Sequence, residues 1–132
     1  MKIKMRKSEE FEVIELGTTY QLPKFRVVDG EGIKRIIDIE HSLVPLAHLE
    51  YYDTITFVRG DKSDNNTIIP RVDGILHEQL LGLMIEDLQY KSQLVPSRES
   101  AIVITKLQEA LFWLEERSRN REKRNVEGTY QK

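Results

Sequence analysis

Two apolar periods divide this chain. Up to about residue 72 the apolar positions come in short runs broken by polar turns, and beyond it they recur every three or four residues. Phe11-Glu12-Val13-Ile14-Glu15-Leu16 partly alternates, which puts Phe11 and Val13 on one face of a strand. Phe25-Arg26-Val27-Val28 follows Pro23, which disfavours helix there. Asp29-Gly30-Glu31-Gly32 then offers two glycines that accept positive φ, and Ile33-Lys34-Arg35-Ile36-Ile37 resumes an extended pattern. Together these predict a β-hairpin. Tyr51 to Val58 is rich in β-branched and aromatic residues and reads as another strand. Gly60 to Asn66 reads as a polar turn, with Thr67-Ile68-Ile69 pairing back before Pro70. Between His41 and Glu50 the pattern is ambiguous, because Pro45 interrupts any helix.

In the second part, Leu80, Leu81, Met84, Ile85 and Leu88 fall at helical spacing and predict an amphipathic helix from Ile75 to about Tyr90, with Asp73 or Gly74 at its start. Lys91 to Ser97 contains Pro96 and reads as a connection. Ser97 is a good N-cap for a second helix, with Glu99 in its first turn. The expected buried stripe is Val103, Leu107, Ala110, Leu111 and Leu114, with Ile104 beside it. Running to about Lys123, this helix is nearly ~40 Å long, and the short connection makes the pair antiparallel. The prediction is an α+β fold: a small antiparallel sheet over 1–72, a helical hairpin over 73–124 and a tail over 125–132, in one compact domain. A partner helix cannot cover so long a helix completely, and Phe112 and Trp113 widen its apolar surface. This implies self-association, a sheet folded over the same flank being the alternative.

Composition narrows the function classes. At 132 residues with 39% apolar and 32% charged positions, the chain can bury a core. No apolar run approaches the roughly 18–20 residues that span a bilayer, and charges follow the basic start where a signal peptide would be apolar. With no cysteine there is no disulfide and no thiolate chemistry, so the chain reads as cytosolic. Net charge is −2, which exerts no strong pull on nucleic acid. Its distribution is uneven: from Arg117 onward six Lys or Arg face two acids, while the preceding residues hold 14 basic against 20 acidic side chains. That basic end can hold a phosphate-bearing ligand, or simply complement a helix dipole, and spacing alone favours the dipole.

Nothing in the residues points to an enzyme. His41, His48 and His77 lack the companions a metal site needs. Asp29, Glu31, Asp38 and Glu40 have no general-base partner and read as turn and strand-edge solubilisers. Nucleophile elbow, phosphate loop and dinucleotide fingerprint are all missing. A better constellation lies around the helical connection. Tyr90 ends the first helix, Arg98 and Ser100 open the second, and Thr105, Lys106 and Arg117 follow. A ring can stack on a purine, a guanidinium can grip a phosphate, and a hydroxyl or helix-start amide can take the remaining acceptors. Arg98 and Arg117 are about 28 Å apart along a helix, so holding one ligand with both requires a second, antiparallel copy. The plainer reading makes Tyr90 a helix-end core residue and both arginines solvated; without further information it is the stronger.

Arg98-Glu99-Ser100-Ala101, Thr105-Lys106-Leu107-Gln108-Glu109-Ala110-Leu111 and Trp113-Leu114 change that balance. With Arg117-Ser118, Arg121 and Arg124-Asn125-Val126-Glu127-Gly128-Thr129, they resemble the phage sponge proteins that counter Thoeris immunity, which share a helical hairpin with the anti-CBASS sponges. The resemblance spans about 73–129. It implies a non-enzymatic phage protein of the host cytoplasm, without cofactor or metal, that sequesters cyclic ADP-ribose isomers made by TIR-domain proteins. It also implies cyclic di- or trinucleotide binding at a separate site, and a homo-oligomer: a dimer, or a hexamer built as a trimer of dimers. No membrane and no nucleic-acid polymer is implied as partner.

Carried over by position, the resemblance makes Tyr90 the aromatic contact, Ser100 the polar contact and Arg117 the phosphate-binding arginine. Arg98 falls on the Arg-Glu pair, Thr105 lies in the matching run, and Arg35 is a candidate from the N-terminal half. Three positions depart from the pattern. Ser100 stands where relatives commonly have Asn and offers one donor instead of two; Ser97 replaces Cys, and Asn125 replaces Gly. The rival reading is a small phage nucleic-acid-binding protein that uses the basic end of the second helix.

Overall fold

The computed structural model describes residues 6–40, 51–60, 62–64 and 67–125. The chain forms two compact units, Met1–Thr56 and Phe57–Lys132. In the first, a short 3-10 turn (Lys7–Glu9) precedes β1 (Glu12–Glu15), β2 (Thr19–Pro23), β3 (Phe25–Val28), β4 (Gly32–Arg35), the single-turn α1 (Ile36–Ile39) and β5 (Tyr52–Thr56). Strands β1, β2 and β5 make an antiparallel sheet in that order, with Tyr20 between Val13 and Ile55 at its centre. The β1–β2 turn uses Gly17 at φ +87, a conformation an L side chain rarely adopts. Beside it Thr18 is fully buried, with its hydroxyl accepting from Thr19 Oγ1 at 3.3 Å.

The predicted hairpin forms as β3–β4, with Phe25 opposite Arg35, and Gly30 and Gly32 both take positive φ. It ends earlier than expected. Ile36 and Ile37 leave the strand for α1, and Arg35 forks onto Asp38 through Nε at 2.7 Å and Nη2 at 3.2 Å. That pair closes the turn within three residues, a local bond that competes with further ladder pairing. Two of the acids expected to be free solubilisers are engaged: Asp38 with Arg35, and Glu40 with Arg26 at 2.6 Å. Strand β2 was not anticipated: Thr19-Tyr20-Gln21-Leu22 alternates, but the run is only four residues long and ends in proline. It forms because β1 and β5 pair with it on both sides. The ambiguous 41–50 segment, with His41 and His48, lies outside the described residues.

The second unit starts with a β stem. Arg59 and Val72 exchange both backbone hydrogen bonds at 2.9 Å, and Val58 N–H donates to Ile75 at 2.9 Å. Between them β6 (Lys62–Asp64) and β7 (Thr67–Ile69) pair antiparallel, as expected of Thr67-Ile68-Ile69. The stem leads into α2 (His77–Leu94) and, after a three-residue connection, α3 (Arg98–Lys123). Helix α2 starts neither at Asp73 nor at Gly74. Ile75 is committed to the stem, so Leu76 becomes the N-cap, its N–H bonded to the Gln79 side chain at 2.9 Å. At α3 the expected cap is present: Ser97 Oγ accepts from Ser100 N–H at 3.0 Å.

The helices meet along a narrow seam. On α2 the covered positions Glu78, Leu81, Ile85, Leu88 and Ser92 alternate three and four apart, and Leu80 and Gly82 beside Leu81 are also half-buried. On α3 they are Ser100, Ile104, Leu107, Leu111, Leu114, Ser118 and Arg121, with the same alternation. This is the spacing of a two-stranded coiled-coil interface. Ile85, 8% exposed, is the one apolar side chain buried among the described residues. Val103 and Ala110, expected inside, lie exposed, as does Met84. A single neighbouring helix covers only the a and d positions, so residues one place off fall on the rim.

Candidate functional site

The uncommitted polar and aromatic groups of the second unit sit on the outside of the hairpin. At 100° per residue, Tyr90 lies about 160° from the α2 seam, and it is 61% exposed. Arg98 and Thr105 lie on the outer side of α3, about two turns apart and far around the hairpin from Tyr90. Both are exposed, and Thr105 spends its hydroxyl on Ala101 O at 3.1 Å. Ser100 faces the seam, half-buried, where its Oγ accepts from Ser97 Oγ at 2.8 Å. The cap that starts α3 therefore takes one acceptor site of the hydroxyl assigned to ligand contact, while its O–H can still donate.

Arg117 lies elsewhere. The two seams match Ser92 with Ser100 and Glu78 with Leu114, so Tyr90 stands level with Ile102. Fifteen residues then separate it from Arg117 along α3, about 22 Å. One chain thus does not gather Tyr90, Arg98, Ser100 and Arg117 around a small ligand. Arg35 belongs to the other unit. Its guanidinium lines a hollow with Glu9, Glu10, Phe11, Glu12, Pro23 and Tyr52, and the bond to Asp38 pushes its pKa up, so it stays charged at every working pH.

One chain does gather something else. Arg117, Asn120, Arg121 and Arg124 line a hollow of about 220 Å³ on the last two turns of α3. Arg117 and Arg124 are exposed and make no side-chain ion pair or hydrogen bond among the described residues. Arg121 is 5% exposed and has bonding of its own. Arg119, in contrast, is turned away and held by Glu116 through Nε at 3.1 Å, which raises its pKa further. Sequence reasoning took Arg121 only as part of a basic tail. Continuing the three–four spacing past Leu114 leads to Ser118 and Arg121, and would have marked it as a buried guanidinium.

Apolar side chains also remain uncovered. Leu83, Asp87, Tyr90 and Leu94 repeat the seam spacing two residues later, which places a second stripe on the opposite face of α2, with the half-buried Leu80 at its start. Leu83 is 65% and Leu94 64% exposed. Asp87 is the one charged residue in the stripe, tied to Lys91 at 2.8 Å. Among the described residues no helix is long and apolar enough to cross a membrane.

This hairpin is a known one. Residues 55–118 match the family model of the Acb2/Tad1 hairpin domain, from the end of β5 through the stem and α2 to Ser118 in α3. The chain is also similar to Thoeris anti-defense 1 of Bacillus phage SBSphiJ7, 39% identical over 80 residues. That stretch is 60% of this chain and 53% of the relative, so the match spans about half the relative's length. Over residues 55–118 the chain is similar to the Acb2/Tad1 hairpin domain, and its similarity to a Thoeris anti-defense protein points to that family.

Proposed function

We propose that this chain is a phage anti-defense sponge, binding cyclic ADP-ribose isomers in the infected host's cytoplasm and holding them uncleaved. The observation that carries this is the hairpin match, together with a relative whose name is Thoeris anti-defense 1. The geometry supports the same class of ligand. Tyr90 offers a ring for adenine, and Arg117 faces a hollow with its guanidinium uncommitted, ready for a diphosphate. The separation of about 22 Å between them requires two chains if one ligand touches both. The apolar stripe on α2 is the surface that brings a second chain, as a dimer or as the dimer unit of a hexamer.

Sequestration requires tight binding, roughly 12 kcal/mol for nanomolar affinity, and so near-complete enclosure of the ligand. A pocket closed by two copies meets that demand better than the open surface of one. Ser100, bonded to its own cap, is a weaker polar contact than Asn and shifts preference among isomers more than it changes the ligand class. Cyclic di- or trinucleotides would occupy a separate site in the assembly. The rival reading, a nucleic-acid-binding protein, rests on the arginines of the α3 end. Calorimetric titration with glycocyclic ADP-ribose isomers, cyclic oligonucleotides and duplex DNA separates the two. The sponge reading expects a saturable isomer complex from which heating returns the intact messenger. It fails if linear ADP-ribose is recovered, or if only DNA binds, in a manner that collapses with salt. Arg117→Ala is expected to abolish isomer binding while oligomer size stays unchanged.

A further inference from the structure

A hollow of about 540 Å³ opens between the two helices near their connection, lined by Gln89, Ser92 and Gln93 of α2 and by Ala101 and Ile104 of α3. The short side chains of Ser92 and Ala101 leave this room, and its size falls in the usual range of small-ligand sites, about 300–1,000 Å³. None of these lining residues is charged, so the hollow suits a neutral part of a ligand and not its phosphates. Gln89, Ser92 and Gln93 make no side-chain hydrogen bond among the described residues. Two carboxamides and a hydroxyl therefore line one space with their donors and acceptors unspent.

Tyr90 lies beside this space on α2. It precedes Gln93 by three residues, and residues so spaced are neighbours on a helix surface, with Cβ atoms about 5–6 Å apart. Helical side chains lean toward the N-terminus, which favours the Gln93 carboxamide reaching over the turn that carries Tyr90. Ser100, one residue before Ala101, stands level with Ser92 across the seam. A base stacked on the exposed Tyr90 ring thus has Gln93 at its edge. A carboxamide matches one edge of adenine: its oxygen accepts from the N6 amino group while its nitrogen donates to N7. Hypoxanthine carries an oxygen at position 6, so it offers that edge two acceptors, and a single carboxamide keeps one of the two bonds.

We infer that Gln93 selects adenine, reading the N6/N7 edge of a base whose face is stacked on Tyr90. The inference rests on the proposed function for its ligand, an adenine-bearing messenger. It adds a determinant of base specificity, separate from the arginine that takes the diphosphate.

Calorimetry on the full chain compares a glycocyclic ADP-ribose isomer with its hypoxanthine counterpart, and adenosine diphosphate with inosine diphosphate. The expected result is a preference of about tenfold or more for the adenine compound, the discrimination that a paired carboxamide contact supplies. Gln93→Leu erases that preference, chiefly by weakening adenine binding about tenfold. Ala101→Leu fills the hollow from an exposed helical position and lowers isomer affinity about tenfold or more, with helicity by circular dichroism unchanged. Equal wild-type affinity for the two bases, a preference that survives in Gln93→Leu, or full isomer affinity in Ala101→Leu overturns the inference and leaves the sponge reading standing. An adenine preference seen with the linear diphosphates alone, and lost in Gln93→Leu, removes the sponge reading and keeps the inference. Silence from every compound removes both.

Discussion

The stripe on the outer face of α2 makes self-association measurable through Leu83. Fully burying a leucine contributes about 1.5–3 kcal/mol, and Leu83 is 65% exposed, so about 1–2 kcal/mol remains available there. A two-fold interface buries the residue twice, which brings the term to about 2–4 kcal/mol per dimer. Leu83→Glu removes that contribution and sets a carboxylate in each copy against the apolar stripe. The dimer dissociation constant is then expected to rise at least about thirtyfold. The fold itself has little reason to respond, since Leu83 points away from the α2–α3 seam and exposed substitutions usually change stability by about ±0.5 kcal/mol. Sedimentation velocity over a wide concentration range reads the association, and circular dichroism at 222 nm checks that helicity is kept. A wild-type chain that sediments as a monomer throughout would refute the reasoning. So would Leu83→Glu assembling like wild type.

Other substitutions test the interior of the hairpin and its cap. Ile85→Ala opens a gap at the best-covered point of the seam and is expected to cost about 2–3 kcal/mol, read as a lower midpoint in urea unfolding. Ser97→Ala removes the bond to Ser100 N–H and is expected to cost about 1 kcal/mol; Ser97→Asp, which still accepts, should recover most of it. Asp87→Leu completes the outer stripe. The lost pair with Lys91 is worth only about 0.3–0.5 kcal/mol, so tighter assembly at unchanged helicity is expected in the same sedimentation experiment.

Local rules were enough for much of the fold. Gly30 and Gly32 set the β3–β4 turn because the required φ is positive, and Ser97 starts α3 because its hydroxyl reaches an unpaired amide. Three-and-four spacing gave both helices, and the short connection gave their antiparallel order. Those properties live within a few residues of one another, so a linear reading reaches them. The hairpin's family was likewise legible in the residues from Arg98 to Trp113.

What lay beyond reach depended on contacts between distant segments. Strand β2 exists because two other strands flank it, and Leu76 is a cap because the stem claims Ile75. A helical stripe is about 100° wide by sequence, yet one neighbouring helix covers less, and this moved Val103 and Ala110 to the rim. The candidate site shows the same division. Residue chemistry singled out Tyr90, Ser100 and Arg117, and helical spacing alone groups Arg117 with Arg121 and Arg124 and lets Ser97 bond Ser100, but only the pairing of the two helices set Tyr90 and Arg117 about 22 Å apart and buried Arg121. Side-chain identity states what a group can bind; the packing of the hairpin decides which groups are left to bind together.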